Sequence, residues 1–138
     1  MIQRLSIEEA LYGIVHAAEI LDYDEPMPYP TAKRIQNLEN CLEKPFATFD
    51  KKYLYRTLNH RAAVLFYTII KNHPLENGNK RSAVIITMMF LFFNGKTLNA
   101  SADQVYEVAC IVADSPASDS EKHIQLLEQA FKEFTVKL

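Results

Sequence analysis

The chain has 138 residues, enough for one domain and too few for two ordinary ones. With 49% hydrophobic and 23% charged residues it can fill a single core, which sets intrinsic disorder aside. Fifteen Lys and Arg against seventeen Asp and Glu leave a formal charge of −2, so a strongly basic nucleic-acid binder is excluded and no direct nucleic-acid partner is expected. The predicted elements are helical almost throughout. Ser6-Ile7-Glu8-Glu9 has the form of a capping box, and Ile7, Leu11, Ile14/Val15, Ala18 and Leu21 recur at helical spacing behind it. Pro26, Pro28 and Pro30 make Tyr23 to Pro30 an extended connection. Thr31 caps a second helix with Ile35, Leu38 and Leu42 on one face. Pro45-Phe46-Ala47-Thr48-Phe49 reads as a short extended run, and Asp50 as the cap of a long third helix with Leu54, Leu58, Ala62, Leu65 and Ile69 inside. The polar segment Asn72 to Asn79 interrupts the pattern. A fourth helix then runs to Asn94-Gly95, where glycine suits a left-handed stop. Capping boxes at Ser101/Gln104 and Ser118/Glu121 open two more. The expected fold is one all-α domain over residues 1–138, a bundle of about six helices.

Other features narrow the class. Only Gly13, Gly78 and Gly95 are glycines, too few and too scattered for a Rossmann or P-loop cradle. Cys41 and Cys110 lack metal or redox spacing and lie in apolar contexts, as expected of reduced, buried thiols in the cytosol. The N-terminus has no apolar signal core. The longest apolar stretch, Ala83 to Phe93, would rise about 16 Å as a helix, roughly half a bilayer core. These features predict a soluble, cytoplasmic protein with no membrane partner.

Chemistry concentrates in His73-Pro74-Leu75-Glu76-Asn77-Gly78-Asn79-Lys80-Arg81-Ser82, a polar cluster between the two most hydrophobic helices. His73 ends one helix, where an imidazole can act as a base near neutral pH. Gly78 permits a tight turn and close backbone approach by a ligand. Asn79 opens the next helix, whose free N–H groups and positive dipole end attract an anion. Lys80 and Arg81 in that first turn oppose the dipole, an arrangement that an anion relieves. The residues read as a phosphate-binding loop with a general base beside it. A plain polar connection with solvent-facing cations is the alternative they leave open.

The string HPLENGNKRSAV closely resembles the signature of the Fic/Doc family, in particular its Doc (death-on-curing) branch. Lys80 and the Arg-Ser-Ala after it carry the likeness to that branch, and the resemblance extends over about residues 38–114, with His60-Arg61-Ala62-Ala63 and the Phe90-to-Gly95 helix end included. It implies an all-α Fic fold and ATP-dependent transfer of part of a nucleotide to a protein hydroxyl. His73 would take the proton from the target Ser, Thr or Tyr; Asn77, Gly78, Asn79 and Lys80 would line the phosphates; Arg81 would neutralise charge on the transferring or leaving phosphate. Pro45, Phe46, Ala47, Thr48 and Phe49 would form the flap that aligns the target backbone as an added strand.

Three positions depart from the family pattern. Asn77 stands where an acidic Mg²⁺ ligand is usual, and offers an amide oxygen without negative charge. Leu75 replaces the usual Phe beneath the loop. Val84 replaces the second arginine that orients nucleotide for AMP transfer, which favours phosphate transfer of the Doc kind. An inhibitory (Ser/Thr)-x-x-x-Glu-(Gly/Asn) segment is missing: Glu39-Asn40 and Glu76-Asn77 are preceded at the required spacing by Ile35 and Asn72. The resemblance therefore implies ATP and Mg²⁺ as co-substrate and ion, a separate antitoxin as the restraint, and a target that could be a translation factor such as elongation factor Tu. The rival expectation is a non-catalytic Fic-fold module that binds nucleotide or a partner.

Overall fold

A computed structural model describes residues 1–16 and 29–138. Among these residues are six α-helices: α1 (Ile7–Val15), α2 (Ala32–Glu43), α3 (Leu58–Asn72), α4 (Asn79–Phe93), α5 (Ala102–Asp114) and α6 (Ser120–Phe134). Four short strands accompany them: β1 (Thr48–Phe49), β2 (Lys52–Tyr53), β3 (Lys96–Leu98) and β4 (Thr135–Lys137). The all-α expectation holds, and the strands form two small antiparallel pairs, β1 with β2 and β3 with β4. Among the described residues no helix is long and apolar enough to cross a membrane.

Helix α3 is the centre of the bundle. Every residue from Arg61 to Ile70 is buried, because α4 and α6 cover it while α2 and α5 pack against its remaining flanks. A helix enclosed on all sides is apolar on all sides, which is why this stretch has no polar face. Leu65, Phe66, Ile69 and Ile70 are each no more than 1% exposed, and each contributes about 1.5–3 kcal/mol by leaving water. Helix α1 lies on α4 at Gly13, where an added Cβ would stand 2.4 Å from the Met89 sulfur. The glycine brings the two helices together.

Two capping boxes form as the sequence predicts. Ser6 Oγ accepts from Glu9 N at 3.1 Å while Ser6 N donates to Glu9 Oε1 at 2.9 Å. Ser101 and Gln104 repeat the exchange at 3.2 and 2.9 Å. Thr31 caps α2 through Arg34 N, and Gly95 (φ +78°) follows the C-terminus of α4. Ala18, Leu21 and residues 23–28, assigned above to a helix face and to an extended connection, lie outside the described residues.

Several expectations need correction. The third helix begins at Leu58, not after Asp50, and its cap is Thr57, whose hydroxyl accepts from His60 N at 3.1 Å. Asp50 (φ 52°) and Lys51 (φ 64°) instead form the turn of the β1–β2 hairpin, since two successive positive φ values suit the twist of a tight hairpin. Leu54 is therefore exposed rather than part of the inner stripe. Pro45 and Phe46 belong to a single 3-10 turn (Lys44–Phe46), so the extended run is shorter, from Ala47 through the strand Thr48–Phe49. Ser118 makes no capping box: it sits inside the 3-10 turn Ala117–Asp119, and α6 starts at Ser120 without a side-chain cap. Cys41 is buried as expected, whereas Cys110 is only partly so.

Candidate functional site

The polar loop joins α3 to α4 at one end of their antiparallel hairpin. Helix α3 stops because His73 turns left-handed (φ 46°, ψ 59°) and the following Pro74 cannot extend a helix. Pro74 and Leu75 are buried, anchoring the loop, while Glu76 and Asn77 are exposed above them. Gly78 reverses the chain again in the left-handed region (φ 73°, ψ 20°) and stands as the cap of α4. Between these turns lies a two-bond staple. Asn79 Oδ1 accepts from Leu75 N at 2.9 Å and Asn79 Nδ2 donates to Leu75 O at 3.0 Å. The Asn79 side chain is thus committed to shaping the loop, and what it offers a ligand is its backbone N–H.

Helix α4 opens in an electropositive form. Its cap is a glycine, so no side-chain oxygen covers the first N–H groups, and its first turn contains no acid. The first intrahelical bond runs from Ser82 N to Gly78 O at 2.9 Å. Lys80 and Arg81, both half-buried, add charge in that turn. His73 is exposed, six residues before the glycine-capped helix start, and the chain reversal places both at the same end of the hairpin. Uncapped helix N-termini with free amides attract oxyanions.

Helix α2 flanks the loop, a contribution invisible in the motif. Arg34 Nη1 donates a long 3.5 Å bond to the His73 carbonyl. Tyr29, Thr31 and Arg34 enclose with Leu75, Glu76 and Asn77 a recess of about 90 Å³. A second groove, about 370 Å³, runs between Asn37, Asn40 and Cys41 of α2 and Asn72 and Pro74. Burial pushes the Cys41 thiol up to about 11, so it is a protonated wall rather than a nucleophile. Lys71, two residues before His73, points elsewhere: its ammonium donates to Ala113 O at 3.3 Å and to Ser115 O, closing the C-terminus of α5.

A profile described as the Fic/DOC family matches residues 6–91. The chain belongs to the Fic/Doc family. It is also similar to the Toxin Doc of Mycolicibacterium smegmatis, at 36% identity over 66 residues, which cover 48% of this chain and 51% of that toxin. The alignment thus spans about half the length of that relative. No solved structure matches the chain.

The departures from the Fic/Doc pattern have structural counterparts. Leu75 is 4% exposed and fills the place beneath the loop. Val84 is wholly buried, so its position in α4 faces the core and a cation there would meet apolar neighbours. At Asn77 the donor set is a single exposed amide, and among the described residues no three His, Cys, Asp or Glu side chains gather to hold a metal. Mg²⁺ is usually held through one or two carboxylates plus substrate phosphates. These residues do not build a resident metal site.

The stretch taken for a flap lies elsewhere. Phe46 packs edge-on against Phe90, at the far end of α4, with ring centroids 6.2 Å apart. The Arg61 guanidinium sits 4.9 Å from the same ring. Arg61 precedes His73 by twelve residues of α3, a rise of roughly 18 Å. The structure therefore brings His73, Asn77, Gly78, Asn79, Lys80 and Arg81 together but leaves Pro45 to Phe49 at the opposite end of the hairpin. Pro45 and Phe46 are buried there, while Phe49 is 76% exposed. Of the remaining histidines, His60 packs edge-on against Tyr55 and lies 3.8 Å from a Glu128 oxygen. His16 packs against Tyr12.

Proposed function

We propose that this Fic/Doc protein is an ATP-dependent transferase that moves the terminal phosphate of ATP to a hydroxyl of a target protein, as a Doc-like toxin. The observation that carries the reading is the placement of exposed His73 at the same end of the α3–α4 hairpin as a glycine-capped, acid-free helix start bearing Lys80 and Arg81. In this reading the backbone N–H groups of Gly78, Asn79 and Lys80 receive the phosphate oxygens. The target Ser, Thr or Tyr oxygen attacks the γ-phosphorus and its proton passes to the His73 imidazole. The bond to the β–γ bridging oxygen breaks, and ADP departs with the charge that Arg81 is placed to offset.

ATP enters in this proposal as its Mg²⁺ complex, with the ion held by the phosphates and Asn77 supplying at most one neutral oxygen. Activity should then demand more Mg²⁺ than an acidic residue at that position would require. The valine at position 84, where the family pattern has a second arginine, supports phosphate over AMP transfer. AMP transfer is the second reading, and it differs only in which phosphorus faces the hydroxyl. The name of the mycobacterial relative supports a toxin role, with a separate antitoxin as partner. The chain would act on cytoplasmic proteins, a translation factor among the candidates.

The test is a His73-dependent mass change. The protein is incubated with Mg²⁺, labelled ATP and a cell extract, beside a His73→Ala control. Modified proteins are then identified by mass spectrometry. A gain of one phosphate that the control lacks is the expected result. A gain of one AMP transfers the assignment to the second reading, and no His73-dependent product at generous Mg²⁺ removes the catalytic claim.

A further inference from the structure

The end of the α3–α4 hairpin remote from His73 holds a second concentration of positive charge. A cavity of about 770 Å³ is bounded there by the N-terminal stretch before α1, by Phe46 and Tyr53 of the hairpin region, and by Arg4, Arg56 and Arg61. Its size falls within the range of small-molecule sites. Arg61 defines it. The side chain is only 5% exposed, and its Nε donates to Tyr55 O at 2.7 Å. Its guanidinium packs 4.3 Å from the Tyr53 ring centroid and 4.9 Å from that of Phe46. Two aromatic faces and one carbonyl hold this group in place, and the Nε bond leaves the terminal nitrogens without a carboxylate.

That missing counter-charge separates the cluster from an ordinary buried ion pair. Among the described residues Arg61 makes no salt bridge, and neither does Arg56, which is exposed at the cavity rim. Arg4 alone is paired, with Glu43, and its guanidinium also lies 4.3 Å from the Phe46 centroid. Three guanidiniums against one carboxylate leave two positive charges uncompensated around one cavity. A buried cation without an acid is costly. Burial lowers the Arg61 pKa, the Tyr53 phenol opposes that change, and the charge of Arg4 adds to it. The arginine remains charged at any physiological pH.

We infer that this cavity is an anion site for a phosphate group, separate from the α4 N-terminus, in which Arg61 and Arg56 engage the oxygens of a phosphate monoester or of free phosphate while Phe46 and Tyr53 hold the Arg61 fork in place. The guanidinium fork matches phosphate oxygens in pairs, and a phosphate monoester carries about −1.5 to −2 charges at neutral pH, close to the uncompensated charge. Tyr53 is 48% exposed, so an aromatic body attached to the phosphate has a ring on which to lie. The inference is independent of the transferase reading, since no residue is shared between the two ends.

The test is a titration followed by NMR of the arginine Nε–Hε signals and the aromatic protons. Inorganic phosphate is used in one arm and AMP in the other, each matched in ionic strength with sodium chloride. Shifts of Arg61 and Arg56 in the phosphate arm identify the free ion as sufficient. Additional ring-current shifts of Tyr53 in the AMP arm identify a monoester with an aromatic body. Either result supports the site. Because Arg61→Met removes a packed side chain, the decisive variant is the rim change Arg56→Ala. It should keep the fold and weaken phosphate binding about tenfold, the effect of losing one charge-assisted bond. Lys80→Ala, at the other end, should leave these shifts in place. Absence of shifts at Arg56 and Arg61 in both arms overturns the inference. So does a response unchanged by Arg56→Ala.

Discussion

The two ends of the α3–α4 hairpin are both electropositive, and they become so by different means. At the loop end the charge belongs largely to the backbone: two left-handed turns, at His73 and Gly78, expose the start of α4, and Asn79 staples the loop through Leu75. At the open end it belongs to side chains, three arginines arranged around Phe46 and Tyr53. A backbone site is fixed by a short run of consecutive residues. A side-chain site is gathered from segments far apart, here residues near 4, 46, 53, 56 and 61. The first can present free N–H groups at a defined spacing and place a base next to them. The second offers strong charge but no base, since the histidine nearest it, His60, is turned toward Tyr55 and Glu128. Chemistry is expected at one end and binding alone at the other.

The largest expected effect tests that division directly. His73→Asn keeps a residue that tolerates the left-handed region while removing the imidazole. Protein modification should fall by roughly 10²- to 10⁴-fold, the usual worth of a positioned base, with an unchanged melting temperature. Arg56→Ala, assayed in parallel, should leave modification near the wild-type rate. Equal losses in both variants would erase the distinction between the ends.

Next is the staple. Asn79→Ala strands the Leu75 N–H and C=O in a buried position and should cost about 1–3 kcal/mol of stability. Urea unfolding should register this as a lower midpoint with unchanged slope. No stability change would mean that the loop keeps its shape by other bonds. Lys71→Ala should cost less, roughly 1 kcal/mol, by releasing the carbonyls of Ala113 and Ser115. It should spare protein modification, because this lysine ties down α5 rather than serving the loop. A fall in modification without a fall in stability would instead assign Lys71 to the anion site.

The smallest effect concerns the wall of the loop end. Cys41, raised by burial from its ordinary 9.0 to about 11, should resist alkylation at pH 8 while the partly exposed Cys110 reacts. The unfolded chain gives up the Cys41 proton above 9.0 while the folded chain keeps it up to about 11, so this group lowers stability as pH rises through that window. A Cys41→Ala variant should show a shallower alkaline decline in thermal melts.

What the sequence revealed follows the same contrast. The loop end was legible because His73, Gly78, Lys80 and Arg81 fall within one short segment and each signal, a helix end, a left-handed turn or a cation at a helix start, is local. What no local signal announces there is the bonding of the Asn79 side chain, whose partner is the Leu75 backbone that only the folded turn brings near. Asp50 misled because aspartate suits both a helix cap and a left-handed turn, and the hairpin partner strand Lys52–Tyr53 decides between them. Ser118 misled because its spacing to Glu121 is that of a capping box, whereas the chain after Pro116 takes a 3-10 turn. The pairing of β3 with β4 joins residues 96–98 to 135–137, and no local pattern announces it. The arginine cluster was hidden for the same reason. Arg61 occupies a buried helix face that periodicity assigns to the core, and its aromatic neighbours come from another segment.

If the start of α4 holds the ATP phosphates as proposed, backbone amide shifts report it most directly. On titration of uniformly ¹⁵N-labelled protein with Mg²⁺–ATP, the amides of Gly78, Asn79, Lys80 and Arg81 should move together and saturate, with His73 ring protons following. If those four amides stay fixed under excess Mg²⁺–ATP while the folded spectrum persists, the loop end is a polar connection and the transferase reading is contradicted.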